Sequence, residues 1–150
     1  MRCVVQRVNE AKVKVNGEII SHIEKGFLVL LGIEIGDNDE DINYLVRKIS
    51  NLRIFDDENG KLNLSIKDVN GEIMIISQFT LYGNLKGGFR PDFTRAEKGE
   101  KAFELYNKFI EKLKKEGFVV KEGVFGAYMQ IELINDGPVT LIIDSKLKDF

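Results

Sequence analysis

Apolar positions recur along this chain at two spacings, and the spacings assign most of its elements. Residues 2–8 read as a strand. Lys12 to Val15 and Glu18 to Ile23 flank Asn16-Gly17, a pair suited to a type I′ turn, and are expected to form a hairpin. Gly26 to Ile33 (GFLVLLGI) is an unbroken apolar run, as expected of a strand covered on both faces. Asp37-Asn38-Asp39-Glu40 offers a helix start, with an acid three residues after a cap candidate. Ile42, Leu45, Val46, Ile49 and Leu52 follow at helical spacing, so this helix covers a sheet with one face. Asp56 to Lys61 reads as a turn, and Leu62, Leu64 and Ile66 as a short extended piece. Glu72 to Phe79 (EIMIISQF) is a second buried strand.

Residues 83–95 form a Gly-rich, basic loop. Thr94 and Glu97 predict a capping box for a helix running to about Glu116, with Ala102, Phe103, Tyr106, Phe109, Ile110 and Leu113 as its apolar face. Lys108, Lys112, Lys114 and Lys115 form its solvated face, and Gly117 suits its end. Three further strands are predicted: Phe118 to Lys121, Tyr128 to Ile134 and Val139 to Asp144. The order lacks the strict strand–helix alternation of a parallel fold. The expected class is α+β: a mainly antiparallel, barrel-like β-sheet covered by two α-helices, in a single domain over residues 1–150. Such a sheet leaves an edge or an apolar face for a second copy to cover.

Composition narrows the function more than the fold. At 150 residues, 43% apolar and 31% charged, the chain can bury a core without disulfides or metals. Its formal charge of −2 counts against unselective coating of nucleic acid but leaves room for a local basic patch. The lone Cys3 has no disulfide partner and lies in an apolar run, as a buried strand thiol would. No Cys/His cluster has zinc spacing, so no metal and no cofactor are expected. The chain starts directly with strand-like sequence and has no run long enough to span a bilayer. A cytoplasmic location and no membrane partner are therefore expected.

Conventional catalytic machinery is sparse. The single histidine, His22, lies inside a hairpin strand with no nucleophile nearby in sequence, which counts against a triad. The acids cluster in turns and helix starts (Asp37 to Asp41, Asp56 to Glu58) rather than as a catalytic pair. Gly83, Gly87 and Gly88 do not match a nucleotide fingerprint.

Two segments remain. Ser77-Gln78-Phe79-Thr80 closes an apolar strand, and Asn135-Asp136-Gly137-Pro138-Val139-Thr140 separates two strand-like runs. In the first, Ser77 and Thr80 serve either to hydrogen-bond a turn or to flank backbone N–H groups aimed at a developing oxyanion. One such donor is worth roughly 3–4 kcal/mol of barrier. Thr80 as a nucleophile needs a base, and none is near it in sequence. In the second, Gly137-Pro138 is either a simple turn or a rigid backbone probe. Proline fixes φ, and an X-Pro bond can be cis, so the neighbouring carbonyls point in set directions.

Read together, the two segments resemble the signature motifs of the D-aminoacyl-tRNA deacylase family, and the resemblance covers the whole chain. Met1-Arg2 through Gln6-Arg7-Val8 is similar to that family's opening strand, and Phe27 to Gly32 to its Leu-rich buried strand. Gly88 to Phe93 with Arg90-Pro91, then Ala102, Leu105-Tyr106 and Phe109, follow its connecting loop and helix. Phe125-Gly126-Ala127 and Met129 follow the segment before the second motif. Tyr128 departs from the pattern, standing where a smaller or acidic residue is expected, and the loop Tyr82 to Phe89 is slightly short.

The resemblance implies a homodimer with active sites at the subunit interface. It implies hydrolysis of the ester between a D-amino acid and the tRNA 3′ end, and removal of glycine mischarged on tRNA(Ala). The backbone around Phe79 and Thr80 would lie beside the ester, with Ser77 and Gln78 shaping the pocket. Gly137-Pro138 would reach into the partner's pocket and exclude L-residues, and Arg7 would brace it. Phe125 and Met129 would line the site near the terminal adenosine. The implied partners are tRNA and a second copy, with no DNA.

An aminoacyl ester is already activated, so a backbone oxyanion hole, a positioned water and the 2′-hydroxyl of the tRNA suffice in this reading. Lys86, Arg90, Arg95, Lys98 and Lys101 against Asp92, Glu97 and Glu100 leave a local +2, suited to phosphates near the acceptor end. Two other readings stay open: an RNA-binding dimer without turnover, and a Ser/Thr esterase of small esters.

Overall fold

The sheet is built around one long strand, β1 (Arg2–Val15). In the computed structural model, which describes residues 1–149, β1 pairs antiparallel with β2 (Glu18–Ile23), β3 (Gly26–Gly32) and β8 (Gln130–Asp144). The pieces expected at 2–8 and 12–15 are thus one strand. Its middle carries polar Asn9 and Glu10, but β8 pairs along almost the whole of β1 and holds that middle in the ladder. The β1–β2 turn has Asn16 at φ 51° and Gly17 at φ 80°, the two positive values that an Asn-Gly hairpin supplies.

Two helices set the direction of the remaining strands. β3 leads through α1 (Asp39–Asn51) to β6 (Glu72–Ser77), and β6 through α2 (Gly99–Lys115) to β7 (Val120–Glu122). Each crossover carries the chain back to the end where the preceding strand began, so β3–β6 and β6–β7 pair in parallel. The sheet is therefore mixed, where the sequence reading expected mainly antiparallel pairing. The unbroken apolar runs of β3 and β6 carried the signal, because strands buried on both faces are the habit of parallel sheets.

The strand order is β2-β1-β3-β6-β7, with β8 on the other side of β1. The Ser21 hydroxyl donates to the Glu122 carbonyl at 2.9 Å, so β2 meets β7 and nearly closes a barrel. Val8, Val13, Ile23, Leu28, Met74 and Ile76 form one buried cluster. Phe27, Leu31, Leu45, Ile49, Tyr106 and Phe109 belong to a second, which includes the apolar faces of both helices. Between α1 and β6 in the chain, β4 (Phe55–Asp56) and β5 (Leu62–Leu64) form a small hairpin.

Capping falls in the expected segment of one helix, with the box one residue later than an Asp37/Glu40 pair would set it, and departs from expectation in the other. Asn38 caps α1: its side chain accepts from Glu40 N, and Asp41 reaches back to Asn38 N at 2.9 Å. The Thr94/Glu97 box does not form. Thr94 N–H donates to Asp92 Oδ1 at 2.7 Å, which holds Thr94 in the preceding loop, and α2 starts after Lys98 without a side-chain cap. Leu105 is buried in α2, whereas Phe103, expected in its core face, is half exposed. Gly117 ends the helix as expected, at φ 95° with its N–H on the Lys114 carbonyl.

The two strands expected at 128–134 and 139–144 are one strand, β8, carrying a wide bulge. Val8 pairs with Asn135 and Gln6 with Thr140, so Arg7 alone stands opposite Asp136, Gly137, Pro138 and Val139. The outer edge of β8 has no strand partner among the described residues, and Ile134, Leu141 and Ile142 are exposed along it. Among the described residues, no helix is long and apolar enough to cross a membrane.

Candidate active site

β6 ends at Ser77, and the chain turns at once into a short 3-10 helix, Phe79–Tyr82. Gln78 N–H makes the last rung to the Leu31 carbonyl at 2.8 Å. Leu81 N–H then closes the turn onto the Gln78 carbonyl at 3.2 Å. The first N–H groups of a helical turn have no acceptor within it. Those of Phe79 and Thr80 accordingly have no backbone acceptor among the described residues. The Gln78 side-chain amide donates to the Thr80 hydroxyl. Gly32, at the end of β3, lets this turn pack close: a Cβ there would lie 3.0 Å from Leu81 Cβ and 3.2 Å from the Gln78 carbonyl.

Beside the turn is a cavity of about 520 Å³. Ser77, Gln78 and Phe79 line it from β6 and the turn, Phe93, Ala96, Glu97 and Lys98 from the loop before α2, and Phe125 to Met129 from the segment before β8. Phe79 meets Phe93 edge-on at 5.1 Å between ring centroids. Phe125 meets Phe103 at 5.2 Å and Tyr106 at 5.4 Å. The Tyr106 hydroxyl donates to the Ile75 carbonyl at 3.0 Å, which ties α2 to β6, and burial pushes its pKa up. Tyr128 is 89% exposed, with the ring available to whatever enters.

The fold thus brings Ser77, Gln78, Phe79, Phe125 and Met129 to one cavity, although nearly fifty residues of loop and helix separate the two groups. Thr80 follows directly, its side chain exposed. Phe93 and Glu97 line the cavity as well, and pattern reading missed them as site residues; Lys98, read there as a phosphate contact, lies beside them, and Phe103 packs on Phe125. The aromatic after Arg90-Pro91 in an otherwise Gly-rich loop was the available signal for Phe93.

Arg7, Gly137 and Pro138 do not line that cavity in the same chain. They form a second constellation at the β8 bulge. Arg7 is 6% exposed. It donates from Nε to the Asp136 carbonyl at 2.8 Å and from Nη1 to the Ile54 carbonyl at 2.8 Å. Asn135 ties the bulge to itself: its Oδ1 accepts from Val139 N–H at 2.8 Å, and its Nδ2 donates to Thr140 Oγ1 at 2.9 Å. Gly137 has φ 145°, and the Gly137–Pro138 bond is cis.

The remaining reactive side chains lie elsewhere. His22 sits in β2 with Nε2 3.6 Å from Glu10 Oε2. Cys3 is fully buried, and burial pushes its thiol up to about 12, which leaves it unreactive. What the cavity offers is a mainly apolar and aromatic lining with the polar side chains of Ser77 and Gln78 and the charged Glu97 and Lys98; the unengaged N–H groups of Phe79 and Thr80 lie in the turn beside it. Such a site holds a flat or apolar group and favours negative charge developing beside it.

Comparison with known proteins agrees along the chain. A family model described as D-Tyr-tRNA(Tyr) deacylase matches residues 4–144. A protein of Dictyoglomus turgidum named D-aminoacyl-tRNA deacylase is 58% identical over 146 residues, covering 97% of this chain and 94% of that one. One of Finegoldia magna with the same name is also 58% identical, covering 97% and 99%. A solved structure described as c-Myc DNA Unwinding Element Binding Protein superposes with a TM-score of 0.90 at 47% identity, over 96% of this chain and 98% of that one. Another, described as "Structural Analysis of a probable eukaryotic D-amino acid tRNA deacylase", reaches 0.80 at 17% identity over 95% and 98%, a likeness of fold alone. With the family matched over most of its length and relatives more than half identical along nearly all of it, this chain belongs to the D-Tyr-tRNA(Tyr) deacylase family.

Proposed function

We propose that the protein hydrolyses the ester joining a D-amino acid to the 3′ end of tRNA, and likewise glycine mischarged on tRNA(Ala), releasing the free amino acid and the tRNA. The observation that carries this reading is the pair of unengaged N–H groups at Phe79 and Thr80, set beside a cavity lined by Phe125 and Met129. Water attacks the ester carbonyl, and its oxygen takes up negative charge facing the two N–H groups. The ribose oxygen then leaves with a proton, assisted by the neighbouring 2′-hydroxyl. Phe125 and Met129 hold the terminal adenosine.

The Gly137-Pro138 bulge of a second copy completes the pocket and leaves no room for an L side chain; glycine has none to reject. Support for a dimer comes from the open outer edge of β8 and its exposed Ile134, Leu141 and Ile142. Arg7 holds the bulge in position.

The test is hydrolysis of D-tyrosyl-tRNA and L-tyrosyl-tRNA in separate reactions with a chelator present. Loss of the D-form alone is expected. Loss of both would mean an unselective esterase, and loss of neither a binding module.

A further inference from the structure

The loop between the 3-10 turn and the cavity wall has a built root and a bare tip. Asn84 and Asp92 exchange backbone hydrogen bonds at 2.8 and 2.9 Å, and Gly88 N–H closes a tight turn onto the Leu85 carbonyl at 3.2 Å. The Asn84 side chain accepts from Lys86 N–H at 2.8 Å. The root continues into Phe93, which lines the cavity and packs on Phe79. At the tip, Phe89 is fully exposed and Leu85 is 60% exposed. A Cβ at Gly87 or Gly88 would meet nothing within 4 Å. Lys86 and Arg90 stand three residues before Phe89 and one after it in the loop, and neither makes an ion pair among the described residues. Asp92, the nearest acid, is engaged by Thr94 N–H.

An ordered loop that shows a whole aromatic ring between two free cations matches one ligand chemistry best. Unstacked bases pair with aromatic faces, and the phosphates on either side pair with Lys and Arg. A purely apolar partner would leave both cations without a role. Resting on the deacylase reading, in which the terminal adenosine fills the cavity, we infer that Phe89 stacks on a base of the unpaired 3′ strand just before that adenosine, with Lys86 and Arg90 on its phosphates. The loop then measures out single-stranded RNA from the cavity rim and separates a tRNA end from a free aminoacyl nucleoside.

The experiment uses two readouts. Fluorescence anisotropy of an uncharged acceptor minihelix with an unpaired 3′ end reads the loop alone. Phe89→Ala is expected to bind it about five- to a hundredfold more weakly, the effect of one lost stacked base. Lys86→Ala/Arg90→Ala is expected to flatten the slope of log affinity against log salt by about 1.4, for two single-strand phosphates. Turnover of D-tyrosyl-adenosine, which has no preceding nucleotide, is expected to be alike in wild type and Phe89→Ala. Equal minihelix binding by wild type and Phe89→Ala overturns the inference. So does a fall in oligomeric mass of Phe89→Ala in light scattering, since Phe89 would then be packing on a second copy. Failure of the wild type to hydrolyse D-tyrosyl-tRNA overturns the deacylase reading instead, and minihelix binding still judges the loop.

Discussion

The Arg7 guanidinium donates to the carbonyl of Asp136 at 2.8 Å, and so joins the first strand of the sheet to the bulge of the last. A second donation, to the Ile54 carbonyl at 2.8 Å, fixes the same side chain to the segment after α1. One buried fork thereby sets where Gly137 and Pro138 stand.

Replacing Arg7 removes both donors at once. Arg7→Met is expected to cost about 2–4 kcal/mol of stability, because two carbonyls lose charge-assisted partners in a buried place. Arg7→Lys is expected to recover only part, since an ammonium lacks the flat fork that spans two acceptors. Denaturant unfolding of the three proteins measures this. Equal stability of Arg7→Met and wild type would remove the bracing role.

A side chain at Gly137 has no room. Its Cβ would lie 2.7 Å from Val139 Cγ2, 2.8 Å from Val139 N and 3.2 Å from Arg7 Nη2, at φ 145°. Strain of about 1–3 kcal/mol at such a position predicts roughly a ten- to hundredfold fall in D-aminoacyl-tRNA turnover by Gly137→Val. Unchanged rate and unchanged D/L preference would refute the part given to the bulge.

Thr80→Ala separates a backbone mechanism from a hydroxyl nucleophile. The substitution keeps the main-chain N–H and loses only the contact with the Gln78 amide. Activity is expected to stay within about tenfold of wild type, less than the hundredfold or more that follows loss of an oxyanion donor. Near-zero turnover by a folded Thr80→Ala protein would point to the Ser/Thr esterase.

Gly123 sets the position of Met129 in the cavity. A Cβ at Gly123 would come within 2.5 Å of Met129 Sδ and 3.2 Å of Ile76 Cδ1. Methionine is flexible, so Gly123→Ala is expected to push Met129 into the cavity rather than unfold the protein. The expected result is a KM raised about three- to tenfold with kcat nearly kept, the mark of weakened binding common to ground and transition states. Steady-state kinetics on D-tyrosyl-tRNA, with a thermal melt as control, decides it; a lowered kcat at unchanged KM contradicts it.

Acid should loosen the junction of the chain ends. Burial pushes the Asp144 pKa up, but the N–H groups of Leu147 and Lys146 and the Arg2 guanidinium outweigh it and hold the carboxyl below its ordinary 3.8. At Asp41, burial is likewise outweighed, there by the Ser145 hydroxyl and Asn38 N–H. Both pKa values are lower folded than unfolded, so the folded state binds fewer protons. Their contribution to stability is whole above the unfolded value of 3.8 and is lost as pH falls through the folded values. Melting temperature is therefore expected to drop steeply below about pH 4. Asp144→Asn should melt lower at neutral pH and lose less on acidification. An acid loss as large as that of wild type would place the sensitivity elsewhere.

The local grammar of the chain determined its elements. Asn16-Gly17, the Asn38 cap and the apolar stripe of α1 act through neighbours a few residues apart, and they form as their residue types dictate. The two unusual segments were likewise visible, because hydroxyl, amide and Gly-Pro groups interrupt apolar runs. Where a local signal had a rival it misled: Thr94 served the loop before it rather than the helix after it.

Tertiary structure decided everything that depends on register and on the path of the chain. The runs of β3 and β6 announced burial, but only the α1 crossover made them parallel neighbours. Gly137 and Pro138 bulge because β8 runs on past them, keeping its ladder with β1 on both sides. Phe79, Phe93 and Phe125 share a cavity because α2 packs back against β6, a contact between residues far apart in sequence. Such contacts are set by the summed fit of whole elements. Short-range spacing reports which face of an element is buried, but not what covers it.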